Sequence, residues 1–313
     1  MKLRPVDPGL LVRGTDDDPR LGRAVVDAEK ADVALVGCAD DTGVAHSGGR
    51  TGAALGPTEI RRWFYKQTLG LDGVLADVTL VDLGDVLPGP TVEETHAGAE
   101  RAVTAAFERA DVVLFLGGGH DLAFASQSAL FQRHAARRGA VVNIDTHLDV
   151  RPLKDGHIVT SGTPFRRLRE RFGEAVRLLE LGIQPQHNAR AHAAWLRAND
   201  GRIVTLEELR TGPGVHERMK RELLAAIAAA DFASVSLDLD AACAAVAPGT
   251  SAPPADGLDA ASLASFCELA GAQPRVKLLD MMELAPPHDE NARTARLAAL
   301  CLWRFLAGWT RRP

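Results

Sequence analysis

Short apolar runs and longer amphipathic stretches alternate along most of the chain. Runs rich in Val, Leu and Ile occur at 32–37, 78–83, 112–116, 140–144, 176–181, 202–206, 232–237 and 276–281. Each is brief, and most are bounded by Gly or polar residues, which predicts strands buried on both faces. Between them, apolar residues recur every three or four positions, which predicts helices over 58–66, 92–110, 122–138, 188–197, 216–230, 258–270 and 291–307. Pro57 stands at the start of the first of these, where a missing N–H is tolerated. A further short helix is expected at 21–30, closing an N-terminal arm rich in Asp, Arg, Pro and Gly. Eight strands alternating with helices and no linker between them predict one parallel α/β domain, an arm at 1–30 and a core at 31–313. An open sheet and a closed barrel both fit this pattern, and both place sites just beyond the C-terminal ends of the strands.

Those ends carry the unusual residues. The run at 140–144 leads into Asp145, His147 and Asp149, and in an extended chain side chains at alternate positions point to one side. The run at 112–116 ends in three glycines, then His120 and Asp121. A third, 232–237, ends in Asp238 and Asp240. The plainer reading is of strands that enter polar loops, with Asp capping the next element. Four carboxylates and two imidazoles on one sheet edge argue otherwise, because so many carboxylates resist ionisation unless cations neutralise them. Oxygen-rich ligation without thiolate suits a hard or borderline dication, Mn²⁺ best, with Fe, Co, Ni and Zn as alternatives. Six ligands exceed what one catalytic ion with an open position needs, so two ions and metal-assisted hydrolysis by a hydroxide held between them are expected. The loops 152–165 and 242–256 are expected to wall the site, and the long loop 38–56 to be functional. Asp40, Asp41, His46 and Arg50 either reach it or satisfy loop backbone.

Composition narrows the class. With 46% hydrophobic and 25% charged residues and a net charge of -5, the chain is an ordinary globular one, with no reason to expect nucleic-acid binding. The group Arg166, Arg167, Arg169 and Arg171 reads as the solvated face of a helix. Four dispersed cysteines favour reduced thiols, and without a signal-like leader or spanning stretch a cytoplasmic protein without membrane contact is expected.

GGGHD at 117–121, DTHLD at 145–149 and SLDLDA at 236–241 resemble, in order, the motifs of the arginase, agmatinase and formimidoylglutamase family of ureohydrolases. The loop DTGV…GGRTGAALGPTEIRR and DMMELAPPHD near the end extend the resemblance over about 32–309. It implies a single three-layer α/β/α domain with an eight-stranded, mostly parallel sheet, two Mn²⁺ ions, and a homo-oligomer, trimer or hexamer. It implies that one ion is held by His120, Asp145, Asp149 and Asp238, and the other by Asp145, His147, Asp238 and Asp240. Asp149 would also bond the attacking hydroxide, and Glu283 would pair with the cationic nitrogen group of the substrate. Thr146, where the family usually has Ala, and Asn143 are departures that flank ligands without replacing them.

Arg151, SGTPF at 161–165 and the APGTSAP continuation after the carboxylate pair look like the formimidoylglutamase branch. That branch hydrolyses N-formimidoyl-L-glutamate, a small molecule, to glutamate and formamide in histidine degradation. Arg151, Thr160, Ser161, Asn188 and Arg50 are the candidates for its two carboxylates. The alternatives are an agmatinase, guanidinobutyrase or arginase releasing urea, and an idle metal-binding member of the family. His157 is not assigned the proton-shuttle role that arginases give a histidine in this loop.

Overall fold

In the computed structural model, which describes residues 2–313, the strands are β1 (Leu3–Arg4), β2 (Val33–Cys38), β3 (Leu80–Val86), β4 (Val112–Leu116), β5 (Gly139–Ile144), β6 (Val176–Ile183), β7 (Arg202–Thr205), β8 (Phe232–Asp238) and β9 (Val276–Met282). The helices are α1 (Thr42–Ser47), α2 (Gly56–Phe64), α3 (Val92–Arg109), α4 (Ala123–Arg133), α5 (Pro164–Phe172), α6 (Arg190–Ala198), α7 (Leu206–Arg210), α8 (Val215–Ala228), α9 (Ala260–Gly271) and α10 (Arg293–Trp309). All strands join one open sheet in the order β1-β3-β2-β4-β9-β8-β5-β6-β7, which decides against a barrel. Every pairing is parallel except that of β1 with β3.

The central strands are buried on both faces because helices cover both. On β4, Val112, Leu114 and Leu116 pack into one core with Phe64 of α2, Leu223 of α8, Phe266 of α9 and Phe305 of α10. Val113 and Phe115 point into the other, with Val103 of α3, Leu130 of α4, Leu168 of α5 and Leu196 of α6. The result is three layers, α/β/α. Each fully buried Phe or Leu contributes about 1.5–3 kcal/mol, so this double core fixes the strand ends that carry the polar residues.

Three expectations are corrected. The sheet has nine strands, not eight: the ninth, β1, is a two-residue edge strand in the arm, too short to show a period. The helix expected at 21–30 is a single 3-10 turn, Leu21–Arg23. After that turn the chain runs beside β3, with Val26 N–H donating to Leu80 O at 2.9 Å and Leu80 N–H to Ala24 O at 2.7 Å. The β-branched pair Val25-Val26 suits that extended path better than a helix. The loop 38–56 contains α1, closed by Gly48 at φ +76, and a 3-10 turn at Ala53–Leu55.

Candidate metal centre and substrate recess

The end of β4 passes so close to its neighbours that only glycine fits. A Cβ at Gly117 would lie 1.9 Å from Met282 Sδ, and one at Gly118 would lie 1.9 Å from Asp40 O. The passage is tied down by Gly119 N–H donating to Asp40 O and Glu283 N–H donating to Gly118 O. It delivers His120 to the same edge as the ends of β8 and β5, two and three places along the sheet.

There His120 Nδ1 faces three carboxylate oxygens, Asp145 Oδ2 at 3.2 Å, Asp149 Oδ2 at 3.0 Å and Asp238 Oδ2 at 3.0 Å. His147 Nδ1 lies 3.1 Å from Asp240 Oδ2 and 3.4 Å from Asp145 Oδ1. His120, Asp145, Asp149 and Asp238 form one group whose ligand atoms all lie within 4.8 Å of one another, and Asp145, His147 and Asp240 form a second. All six predicted ligands are therefore brought together, with Asp145 common to both groups. The donor set fits two dications. One imidazole nitrogen cannot donate to three carboxylates, and His120 Nδ1 is buried without a hydrogen-bond partner. The four aspartates also carry a formal charge that two dications would cancel.

Without cations the cluster is electrostatically frustrated. Burial, with repulsion from Asp240 and Asp145, pushes Asp238 well above the usual carboxylate range. Burial and Asp145 push Asp240 up to about 7. Burial opposes protonation of His147, but Asp240 and Asp145 outweigh it and raise its pKa to about 12. Burial likewise opposes a charge on His120, and Asp145, Asp149 and Asp238 outweigh it.

Neighbouring groups hold the ligands in place. His120 Nε2 lies 3.0 Å from Ser236 Oγ, which donates to the buried Asp280; Asp280 also accepts from Ser126 and Gln127. Such chains set the tautomer and aim of a ligating histidine. Thr146 Oγ1 donates to Asp240 O at 2.9 Å, tying the β5 end to the β8 turn. Asp149 at φ +47 and Glu283 at φ +68 occupy left-handed backbone, which bulky residues reach at a cost of about 1–3 kcal/mol.

Residues 31–308 match the arginase family over most of the chain. The chain belongs to the arginase family. It is 35% identical to the formimidoylglutamase of Halobacterium salinarum over 90% of this chain and 89% of that one. It is 30% identical to that of Klebsiella pneumoniae over 99% and 100%. The crystal structure of Trypanosoma cruzi formiminoglutamase with Mn²⁺ superposes with a TM-score of 0.87 at 31% identity, covering 95% of this chain and all of that one.

Over the cluster, this arginase-family chain forms a recess of about 190 Å³ whose lining includes Ser47, Arg151, Ser161, Ser251 and Glu283 as well as the ligands. A second of about 300 Å³ adjoins it, sharing His147, Asp149 and Arg151 and adding His187, Asn188 and His192. Arg151 lies across Gly162, where a Cβ would come within 2.7 Å of its side chain. Its guanidinium is exposed, with no ion pair among the described residues. Ser161 Oγ bonds Ser47 Oγ at 2.8 Å.

Three other candidates are spent on other contacts or lie outside the recesses. The Arg50 guanidinium donates to Ser251 O and Thr250 O, bracing the loop. Thr160 is buried and lines neither recess. Asn188 reaches the second recess, but its amide is spent on Leu148 N–H, Thr146 O and Gln184 O. Asp40, Asp41 and His46 serve loop backbone, His46 lying 2.8 Å from Val159 O. Ser251 lies on the loop 242–256 expected to wall the site, whereas Ser47, His187 and His192 were not singled out. Ser47 lies in the HSGGR stretch whose glycines mark a close approach, whereas nothing in the pattern around His187 and His192 points to a site.

Proposed function

We propose that this chain is a dinuclear-metal hydrolase that cleaves the formimidoyl C–N bond of N-formimidoyl-L-glutamate, giving L-glutamate and formamide. The observation that carries it is the polarity of the recess: a buried carboxylate, Glu283, lines the same space as an unpaired guanidinium, Arg151. An amidine-like cation at one end of a dicarboxylate fits that arrangement, whereas the distal amine of agmatine would meet Arg151. Homology to named formimidoylglutamases supports the same substrate.

His120, Asp145, Asp149 and Asp238 would hold one ion, and Asp145, His147 and Asp240 the other, with Asp238 added to the second by the family resemblance; Mn²⁺ is proposed from the Trypanosoma cruzi structure. When bound, two such ions supply Lewis-acid polarisation and a water activated near neutral pH. Glu283 Oε1 accepts from His120 N–H at 2.8 Å, which leaves its buried, unpartnered Oε2 for the substrate cation. Arg151 pairs with a substrate carboxylate, and the serines Ser47, Ser161 and Ser251 offer further donors. Asp149, which lines both recesses, takes a proton from the attacking water and returns it to the departing glutamate nitrogen as the C–N bond breaks.

No helix among the described residues is long and apolar enough to cross a membrane. We assign the enzyme to the cytoplasm as one domain, arm included, acting as a homo-oligomer. Hydrolysis of formimidoylglutamate, agmatine, guanidinobutyrate and arginine by Mn²⁺-loaded protein, side by side, tests the substrate. Formamide from the first alone is expected; urea from any of the others overturns the branch.

A further inference from the structure

Deep in the sheet lies a carboxyl group that the proposed reaction does not use. Glu180, in the middle of β6, is fully buried and lies opposite Asn143 of β5 in the strand register. Asn143 Nδ2 donates in two directions, to Glu180 Oε2 at 2.8 Å and to Asp145 Oδ2 at 3.3 Å. Two further oxygens of the pair, Asn143 Oδ1 and Glu180 Oε1, are buried with no partner. No Lys, Arg or His pairs with Glu180 among the described residues. A buried carboxylate without a cation is strongly disfavoured, whereas a carboxylic acid is neutral and is a donor as well as an acceptor.

We propose that Glu180 is a protonated carboxylic acid paired with the Asn143 carboxamide, and that this pair is a positioning device for Asp145, the carboxylate common to both ligand groups. The acid O–H supplies the donor that Asn143 Oδ1 lacks, while Oε2 accepts one N–H. The other N–H is thereby aimed at Asp145 Oδ2. With His147 N–H donating to Asp145 Oδ1 at 2.6 Å, both oxygens of the shared carboxylate are fixed before any cation arrives. Burial pushes the Glu180 carboxyl well above its ordinary range, against the Asn143 bond, and the nearby Asp145 and Asp149 push it further. A neutral Glu180 also adds no negative charge to an already crowded edge.

The inference rests on reading the cluster as a metal centre, and the test separates the two. Glu180→Gln presents an NH2 and a C=O in place of the acid's O–H and C=O, so it should hold Mn²⁺ within about threefold of the wild-type affinity, whereas Glu180→Leu and Asn143→Leu should weaken it by about 10–100-fold. Titration calorimetry of Mn²⁺ into metal-free protein reads these values, with circular dichroism confirming the fold. The infrared difference between metal-loaded wild type and E180Q should show a protonated carboxyl C=O band in the wild type alone. If Glu180→Leu does not fold, E180Q affinity and the infrared band decide. E180Q losing as much affinity as a leucine variant, a leucine variant binding as the wild type does, or no such band would each overturn the proposal. Wild-type protein taking up no Mn²⁺ would instead refute the metal-centre reading, and with it the role given to the pair.

Discussion

The Glu283→Gln substitution puts a number on substrate recognition. Glu283 is 4% exposed and divides its two oxygens: Oε1 accepts from His120 N–H, and Oε2 is buried with no partner. One oxygen is thus committed to the protein and one is free, which the proposed function gives to the substrate cation. A hydrogen bond to a charged group contributes about 1.5–3 kcal/mol. At 1.4 kcal/mol per tenfold, that is about 10–150-fold in kcat/KM. In E283Q the amide oxygen has to stay with His120 N–H, so the NH2 faces the cation, donor against donor. The loss should therefore lie at the upper end, about 100-fold or more. The assay is steady-state formamide release from formimidoylglutamate by Mn²⁺-loaded protein, with metal content read by mass spectrometry and unfolding by calorimetry. Unchanged kcat/KM would refute the role of Glu283. A fall accompanied by loss of metal would show that Glu283 instead supports His120.

Arg151→Met should raise KM for formimidoylglutamate by about tenfold, one charged hydrogen bond, with metal content unchanged; saturation curves check it. Asp238→Ala should remove at least one ion and nearly all turnover, measured as Mn²⁺ per chain and formamide per second. Arg61→Met should cost about 3–5 kcal/mol in urea unfolding at constant slope. The reason is that Arg61, 1% exposed, is the buried cation between Asp82 and Asp85, bonding Asp82 at 2.8 and 3.0 Å. Glu222→Gln reports on pH. Bonds from Arg202 hold the Glu222 carboxyl below its ordinary value against burial, so its contribution is present above the unfolded value of about 4.3 and is lost as pH falls. The stability gap between wild type and E222Q should be widest near pH 7 and close in acid.

The clustering of the six candidate ligands was readable because strand and loop follow one another without ambiguity: an apolar run that ends in alternate Asp and His fixes both the element and the side it presents. Glu283 was found through its resemblance to a family residue, since nothing in MMEL itself marks a site. The left-handed backbone at Glu283 had no local sign, because glutamate does not favour it and surrounding packing imposes it; at Asp149 the residue type permits it without marking it. For substrate groups the pattern favoured Arg151, two residues beyond Asp149, but could not dismiss Arg50, as both are arginines in loops. Only tertiary contact shows Arg50 spent on Thr250 and Ser251. Glu180 is an anomaly visible in the run VRLLELGI, yet its meaning needs the register that sets it against Asn143.

The place of β9 in the sheet has a consequence for how the protein is made. The strand is the last to be synthesised, yet it lies between β4 and β8 and is the sole join between two halves of the sheet. Until it emerges from the ribosome, β4 and β8 each present an open edge of backbone donors and acceptors, and His120 has no fixed position relative to the aspartates of β5 and β8. A nascent chain that stops short of about residue 285 therefore has neither a complete sheet nor a place to load metal, and carries two edges prone to pair with other chains. Metal acquisition in this protein is in effect post-translational, and quality control that recognises unpaired strands can act on the β4 edge from its synthesis until β9 emerges.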